Sequence, residues 1–218
     1  LTSDTKRVIK ERFVYDDQNR LTHHYHQVGS IAEQLLNNTT YNALSQVSSK
    51  KEGTGTWQDI NYTYNIRGWI TGVNDPNSLG TDLFGYQLYY NSLDTRFASA
   101  TAKHNGNIAQ VTWKSAYTGS DAKLRNYTYT YDGLNRLSTS LYRTYATTTG
   151  DVNFYNENLT YDVNGNISTL KRYAPPVSGT TATLIDDLVY TYQSGNKSNR
   201  LTTINDNTTN SSGYPYVA

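Results

Sequence analysis

The chain has 218 residues, with 19 basic against 18 acidic side chains and a formal net charge of +1, so composition offers no electrostatic footprint for nucleic acid. No run of about 18 apolar residues marks a membrane span, and the absence of cysteine excludes disulfides, thiolate metal sites and cysteine nucleophiles together. Tyrosine is the outlier, 21 residues against 4 phenylalanines; a phenol buries its ring yet seeks a partner or water for its hydroxyl, which suits sheets wetted on at least one face.

From Thr2 to Tyr25 the sequence predicts a strand, KRVIKERFVY, a turn at Asp16 to Asn19 and a return strand from Leu21. His23, His24 and His26 follow. Adjacent strand residues point to opposite faces, so only His24 and His26 share one, with no carboxylate or further histidine close in sequence, and no metal site is expected. Ile31 to Leu36, IAEQLL, has helical spacing but is too short to stand unaided and runs into a turn at Tyr41, so it is read as a strand. SSKKEGTGT, Ser48 to Thr56, is a connection. In the stretch Trp57 to Pro76, Tyr62 and Tyr64 precede a turn and Ile70 follows it. Val73 lies three residues beyond Ile70, as Leu170 does beyond Ile167 and Ile204 beyond Leu201. Strict alternation requires two or four, so the return strands are expected to carry a bulge or sharp twist. Leu83 to Ser92 and His104 to Trp113 are the least regular segments, read as a divergent strand pair.

Tyr127 to Tyr142 shows the underlying frame most clearly. Tyr127, Tyr129 and Tyr131 alternate with Thr128 and Thr130, placing rings on one face of a strand and hydroxyls on the other. Asp132 to Asn135 reads as a turn and Arg136 and Leu137 begin the return. The same frame, an aliphatic residue six places after the tyrosine and Asp or Asn directly after it, recurs at Tyr15, Tyr41, Tyr64 and Tyr161. Its left-handed turn position is Asn19, Ser45, Gly68, Asn135 and Gly165, of which Ser45 is the weak member. Tyr192 to Leu201 is a further copy with extra tip residues around Ser194, Gly195 and Asn196. HNGNIAQVTW, from His104, keeps Asn105, Gly106, Asn107 and Ile108 but has Ala102 where the tyrosine should stand. Pro175 and Pro176 open an extended connector to Thr183. With no sustained helical period, the chain reads as all-β: one array of antiparallel hairpins over residues 1–218, with a loose polar tail at 207–218. It opens and closes in mid-pattern and is read as a piece of a longer polypeptide.

Catalytic and metal motifs are not expected. Asp162, Asn164 and Asn166 share the opening spacing of a calcium loop, but Gly165 precedes the third ligand and no Glu stands at the twelfth position. The carboxylate pairs Asp16 with Asp17 and Asp186 with Asp187 are adjacent, so their side chains diverge, and both are read as solvated turns. No GxSxG elbow occurs. The candidate residues are therefore those of the frame, together with Trp57, Trp69 and Trp113, whose rings suit either sheet packing or stacking on sugars.

YDGLNRL, YDVNGNI, YDDQNRL and YNIRGWI resemble the repeats of the Rhs and YD-repeat family, and the resemblance covers nearly the whole chain. It implies a curved strip of tandem hairpins, each stabilised mainly by its neighbours, forming part of a hollow shell around a C-terminal toxin or effector. The implied partners are flanking repeats and the enclosed domain, the setting is secreted or cell-surface, and this segment is non-catalytic wall without cofactor. The family's downstream DPxG-type self-cleaving motif is not matched, so that activity does not carry over. A surface carbohydrate-binding or adhesion module is the alternative.

Overall fold

The computed structural model describes residues 7–54, 58–97, 100–116, 123–145, 153–208 and 210–214. These contain 14 strands, hydrogen-bonded in an order that follows the sequence. By packing, the chain forms two compact units, Leu1–Gln87 with Ser115–Tyr117, and Leu88–Lys114 with Thr118–Ala218. The first holds β1 (Ile9–Tyr15), β2 (Leu21–Val28), β3 (Gln34–Tyr41), β4 (Val47–Glu52), β5 (Gln58–Tyr64) and β6 (Ile70–Val73), and β7 (Phe84–Tyr89) begins in it. The second is built from β8 (Gln110–Ser115), β9 (Leu124–Tyr131), β10 (Leu137–Tyr145), β11 (Glu157–Tyr161), β12 (Ile167–Ala174), β13 (Thr183–Tyr192) and β14 (Leu201–Asp206).

Five hairpin tips share one geometry. After the tyrosine, the backbone carbonyl of Asp16 accepts from Asn19 N–H at 2.9 Å, and the same bond joins Asn42 to Ser45, Asn65 to Gly68, Asp132 to Asn135 and Asp162 to Gly165. The residue closing each turn is left-handed, at φ 63° for Asn19, 61° for Ser45, 79° for Gly68, 63° for Asn135 and 87° for Gly165. The carboxylate or amide after the tyrosine holds the turn from within, as when Asp132 Oδ1 accepts the N–H groups of Leu134 and Arg136 at 2.9 Å, the side-chain turn that Asp and Asn are suited to form.

A bulge follows. Tyr131 pairs with Leu137 but Thr130 with Thr139, so Ser138 is left over, and Thr22, Ser48, Thr71, Ser168 and Thr202 are skipped in the same way. This extra residue accounts for the three-residue spacing of aliphatics in the return strands. Each residue skipped at these six hairpin bulges is Ser or Thr, and several hydroxyls are used locally: Thr22 and Thr202 donate to the carbonyls of Val14 and Thr191, while Ser48 and Ser138 bond the hydroxyls of Thr40 and Thr130 at 2.9 Å.

Several expectations need correction. Strand β3 begins at Gln34, so Ile31–Glu33 are loop, drawn off by the turn in which Ile31 N–H meets Val28 C=O and by the Arg12–Glu33 ion pair. Residues 104–109 precede β8 rather than forming strand. The extra residues of the Tyr192 copy do lie at the tip between β13 and β14, where Gln193–Asn196 form a turn with Ser194 and Gly195 left-handed. In the tail read as loose, Asn207 N–H bonds Asp187 C=O, Thr208 Oγ1 bonds Ile185 C=O and Asn210 Nδ2 bonds Leu184 C=O, tying these three residues to β13 beyond the reach of β14.

On β8 and β9 the buried face is the polar one. Gln110, Thr112, Asn126 and Thr128 have almost no exposure, whereas Tyr127, Tyr129 and Tyr131, on the opposite face of β9, are half-buried.

Candidate functional site

The repeat-defining tyrosines act through their hydroxyls. Tyr41 Oη donates to Leu21 C=O at 2.8 Å, Tyr64 to Val47 at 2.9 Å, Tyr131 to Ile108 at 2.7 Å, Tyr161 to Leu137 at 2.7 Å and Tyr192 to Ile167 at 3.0 Å. In each case the acceptor is the aliphatic residue six places after the tyrosine position of the preceding frame, and for Leu21, Val47, Leu137 and Ile167 it stands next to the bulge, where the strand ladder is locally interrupted. Ile108 takes this role for the irregular copy, so that copy still receives a phenol although Ala102 cannot donate one. Tyr15, at the first frame, is 54% exposed.

A second link runs between the tips. Arg136 Nε meets Asp132 Oδ2 in its own turn at 2.6 Å, Nη1 donates to Asp162 C=O in the next at 3.2 Å, and the guanidinium carbon lies 4.5 Å from the centre of the Tyr161 ring. Arg20 repeats this with Asp16 at 2.7 Å, Ser45 Oγ at 3.0 Å and the Tyr41 ring at 4.6 Å. Where the position is Asn166, its amide bonds Asp162 Oδ2 at 2.9 Å and Asn199 Oδ1 at 3.2 Å. The arginine of the YDxxNR pattern thus closes one turn and fastens the next tyrosine.

These contacts set the electrostatics. The Arg20 guanidinium and its N–H hold the Asp16 carboxyl below the usual carboxylate range. The N–H of Arg136, then its side chain, does the same for Asp132. At Asp162 burial pushes upward but is outweighed by bonds from Asn166, Asn164 and Gly165. Burial raises the phenols of Tyr127, Tyr131, Tyr161 and Tyr192, and that of Tyr129 is pushed up to about 12.

The polar core of the second unit is a connected network. Asp94 N–H donates to Gln110 Oε1 at 2.8 Å, Thr112 Oγ1 donates to Asp94 Oδ2 at 3.3 Å, Asn126 Nδ2 to Thr112 Oγ1 at 3.1 Å, and Thr128 Oγ1 to Asn126 Oδ1 at 3.0 Å. Arg96 pairs with Asp94 at 2.6 Å. Burial pushes the Asp94 carboxyl up, but the Arg96 bonds outweigh it and the group lies below its ordinary value. Buried polar groups tolerate removal from water only when bonded in this way. The arrangement is structural, since Arg96 already occupies the Asp94 carboxylate.

Of the tryptophans, Trp113 packs among Tyr127 and Tyr142, its ring 5.5 and 6.1 Å from theirs. Trp69 is half-buried with the Arg67 guanidinium 5.2 Å from its ring, and Trp57 lies outside the described residues. Trp69 and Trp113 belong to different units. His24 stacks on Phe13 at 4.4 Å, and its Nε2 lies 3.6 Å from Glu11, a carboxylate remote in sequence that β1–β2 pairing brings near. Among the described residues no group of three His, Cys, Asp or Glu is placed to hold a metal. Asp186, read as part of a solvated turn, is instead fully buried on β13, bonded by Arg172 Nε at 2.7 Å and by Tyr214 N–H. Asp187 diverges from it toward Lys171 at 3.6 Å.

Among solved structures, the crystal structure of TcdB2-TccC3 without hypervariable C-terminal region matches 89% of this chain with a TM-score of 0.62 and 20% identity. The match takes up 9% of that chain, and at this identity the likeness is one of fold. The crystal structure of TcdB2-TccC3-Cdc42 matches over 84% of this chain and 12% of its own at 16% identity, with a TM-score of 0.36, too low to argue from. No family model and no curated protein matches. Among the described residues no helix is long and apolar enough to cross a membrane. The tandem antiparallel hairpin fold implied by the repeat resemblance is the fold of this chain.

Proposed function

We propose that the chain is a non-catalytic wall segment of an Rhs/YD-repeat protein, contributing hairpins to a shell that encloses a C-terminal toxin or effector, in a secreted or cell-surface setting. The observation that carries this reading is the run of phenol-to-carbonyl bonds from Tyr41, Tyr64, Tyr131, Tyr161 and Tyr192. Each couples one hairpin to the one before, so the same residues do the same work at successive positions. A catalytic site needs a few unlike groups converging on one place, and the frame spreads like groups apart. The fold likeness to TcdB2-TccC3 supports the same reading. Its partners are then neighbouring repeats and the enclosed domain, and it requires no cofactor.

The test uses the full-length parent protein with and without the hairpins from Tyr127 to Leu201. Limited proteolysis of its C-terminal domain is expected to accelerate when they are deleted. Unchanged protection of that domain would remove the shell role from this segment.

A further inference from the structure

Asn105–Gly106 and Asn164–Gly165 place the same dipeptide in two copies of the frame, and in both the glycine is left-handed, at φ 99° and 87°. An asparagine followed by glycine is open to attack on its own side-chain amide by the next backbone nitrogen, because glycine carries no Cβ to block the approach. That nitrogen must first lose its proton, and a hydrogen bond to a carbonyl holds the proton in place. The two tips differ at this atom. Gly165 N–H donates to Asp162 C=O at 3.1 Å, and Asp162 N–H donates to Asn166 C=O at 2.9 Å, so the turn is closed twice over. The Asp162 carboxylate adds bonds from the N–H groups of Asn164 and Asn166, both at 2.9 Å.

The irregular copy is built otherwise. Where the frame has Asp or Asn after the tyrosine, this copy has Lys103, whose side chain only donates. Its backbone N–H is drawn out of the turn to Tyr90 C=O at 2.8 Å. Gly106 N–H is then left with no hydrogen-bond acceptor among the described residues. Asn105 is exposed, and its Oδ1 accepts Asn107 N–H at 3.1 Å. That bond closes a ring containing both Asn105 Cγ and the Gly106 nitrogen, and it polarises the amide carbonyl as a donor at a reacting oxygen does. Asn105 Nδ2 donates to Asn135 Oδ1 at 2.9 Å, which ties this tip to that of the Tyr131 frame.

We propose that Asn105 is a site of spontaneous deamidation, and that the closed turn around Asn164 protects its counterpart. The Gly106 nitrogen gives its proton to solvent base and bonds to Asn105 Cγ, Nδ2 leaves as ammonia, and water opens the resulting succinimide at either carbonyl. The products are aspartate and isoaspartate, with one water consumed and one ammonia released. Either product carries a carboxylate, which has no N–H to give Asn135 Oδ1. The tie between the two tips is therefore lost as it stands, and a neutral position becomes negative. The inference is independent of the wall reading and falls on the copy in which Ala102 replaces the tyrosine.

The test incubates the 218-residue chain in mildly alkaline buffer, folded and in denaturing urea, and follows the mass gain of amide-to-acid hydrolysis and the isoaspartate content of peptides containing Asn105 and Asn164. In the folded chain Asn105 is expected to convert about tenfold faster than Asn164, the scale set by one turn hydrogen bond. In urea, where neither turn persists, the two rates are expected to converge, since both residues precede glycine. Asn105→Gln lengthens by one atom the ring that the attack must close, and is expected to remove the fast conversion while leaving the far-UV circular dichroism of the fold unchanged. The inference is overturned if Asn164 keeps pace with Asn105 in the folded chain, or if the disparity persists unchanged in urea, so that neighbouring sequence rather than the turn sets it. It is also overturned if the fast conversion survives in Asn105→Gln.

Discussion

At the scale of the residue, each frame depends on one backbone angle and one hydroxyl. Gly165 sits at φ 87° with only Arg136 Nη1 near the place a Cβ would take, at 3.9 Å, so a side chain there meets strain rather than collision. Gly165→Val is expected to destabilise by about 1–2 kcal/mol, the cost of a left-handed L-residue. Val163→Ala, at a neighbouring position that is 97% exposed, is expected to be nearly silent, and equal shifts in urea melts would contradict the turn geometry. The hydroxyl is tested by a matched pair. Tyr161→Phe deletes the bond to Leu137 C=O and is expected to cost about 0.5–1.5 kcal/mol, the net worth of an intramolecular hydrogen bond. Tyr15→Phe, at a ring already open to water, is expected to be neutral by the same measurement.

At the scale of the element, a hairpin is a tip held by a carboxylate or amide, a bulge, and a phenol reaching back, and two of these parts titrate. Asp16, Asp132 and Asp162 have lowered pKa values in the folded chain. Their contribution to stability is therefore present above the unfolded aspartate value of about 4 and is lost as pH falls below it through the folded values. The tyrosines have the opposite sign. Tyr127, Tyr129 and Tyr131 are raised, so their contribution is complete below the unfolded value of about 10 and is lost as pH rises, for Tyr129 through about 12. The urea midpoint is expected to be flat between those limits and to fall on both sides. A midpoint that climbs above pH 10 would contradict burial of these rings as neutral phenols.

At the scale of the whole molecule, β1 and β14 stand at the ends of the strand order, and among the described residues each pairs on one side only. An unpaired strand is a template for another chain. On β1, Ile9 and Phe13 are exposed alongside Lys10, Glu11 and Arg12, a mixture that slows but does not block edge pairing. Concentration-dependent self-association is expected in light scattering, and a strict monomer at high concentration would show that both edges are protected. The edge of β13 has protection built in, because Asn207, Thr208 and Asn210 bond Asp187, Ile185 and Leu184. Gly213 is required nearby, since a Cβ there would collide with the Ile185 carbonyl.

The repeated frame was legible in the sequence because it is local. Turn chemistry at Asn19, Ser45, Gly68, Asn135 and Gly165 lies within four residues of each tyrosine, and the bulge announces itself in a three-residue spacing where a strand allows two or four. The Ser or Thr at the bulge behind each of these hairpin tips was equally local, visible in Thr22, Ser48, Thr71, Ser138, Ser168 and Thr202 once the frames are aligned. What tertiary structure decided depends on contacts distant in sequence. Alternation along β9 shows that its two faces differ but not which one is covered, and the answer came from Asp94, which bonds Gln110 and Thr112, the residues to which Thr128 and Asn126 are bonded in turn. The partner of each phenol is a main-chain carbonyl some twenty residues upstream, for Tyr41 that of Leu21, and every residue type carries the same carbonyl. Side-chain identity therefore specifies the donor, while strand register alone selects the acceptor.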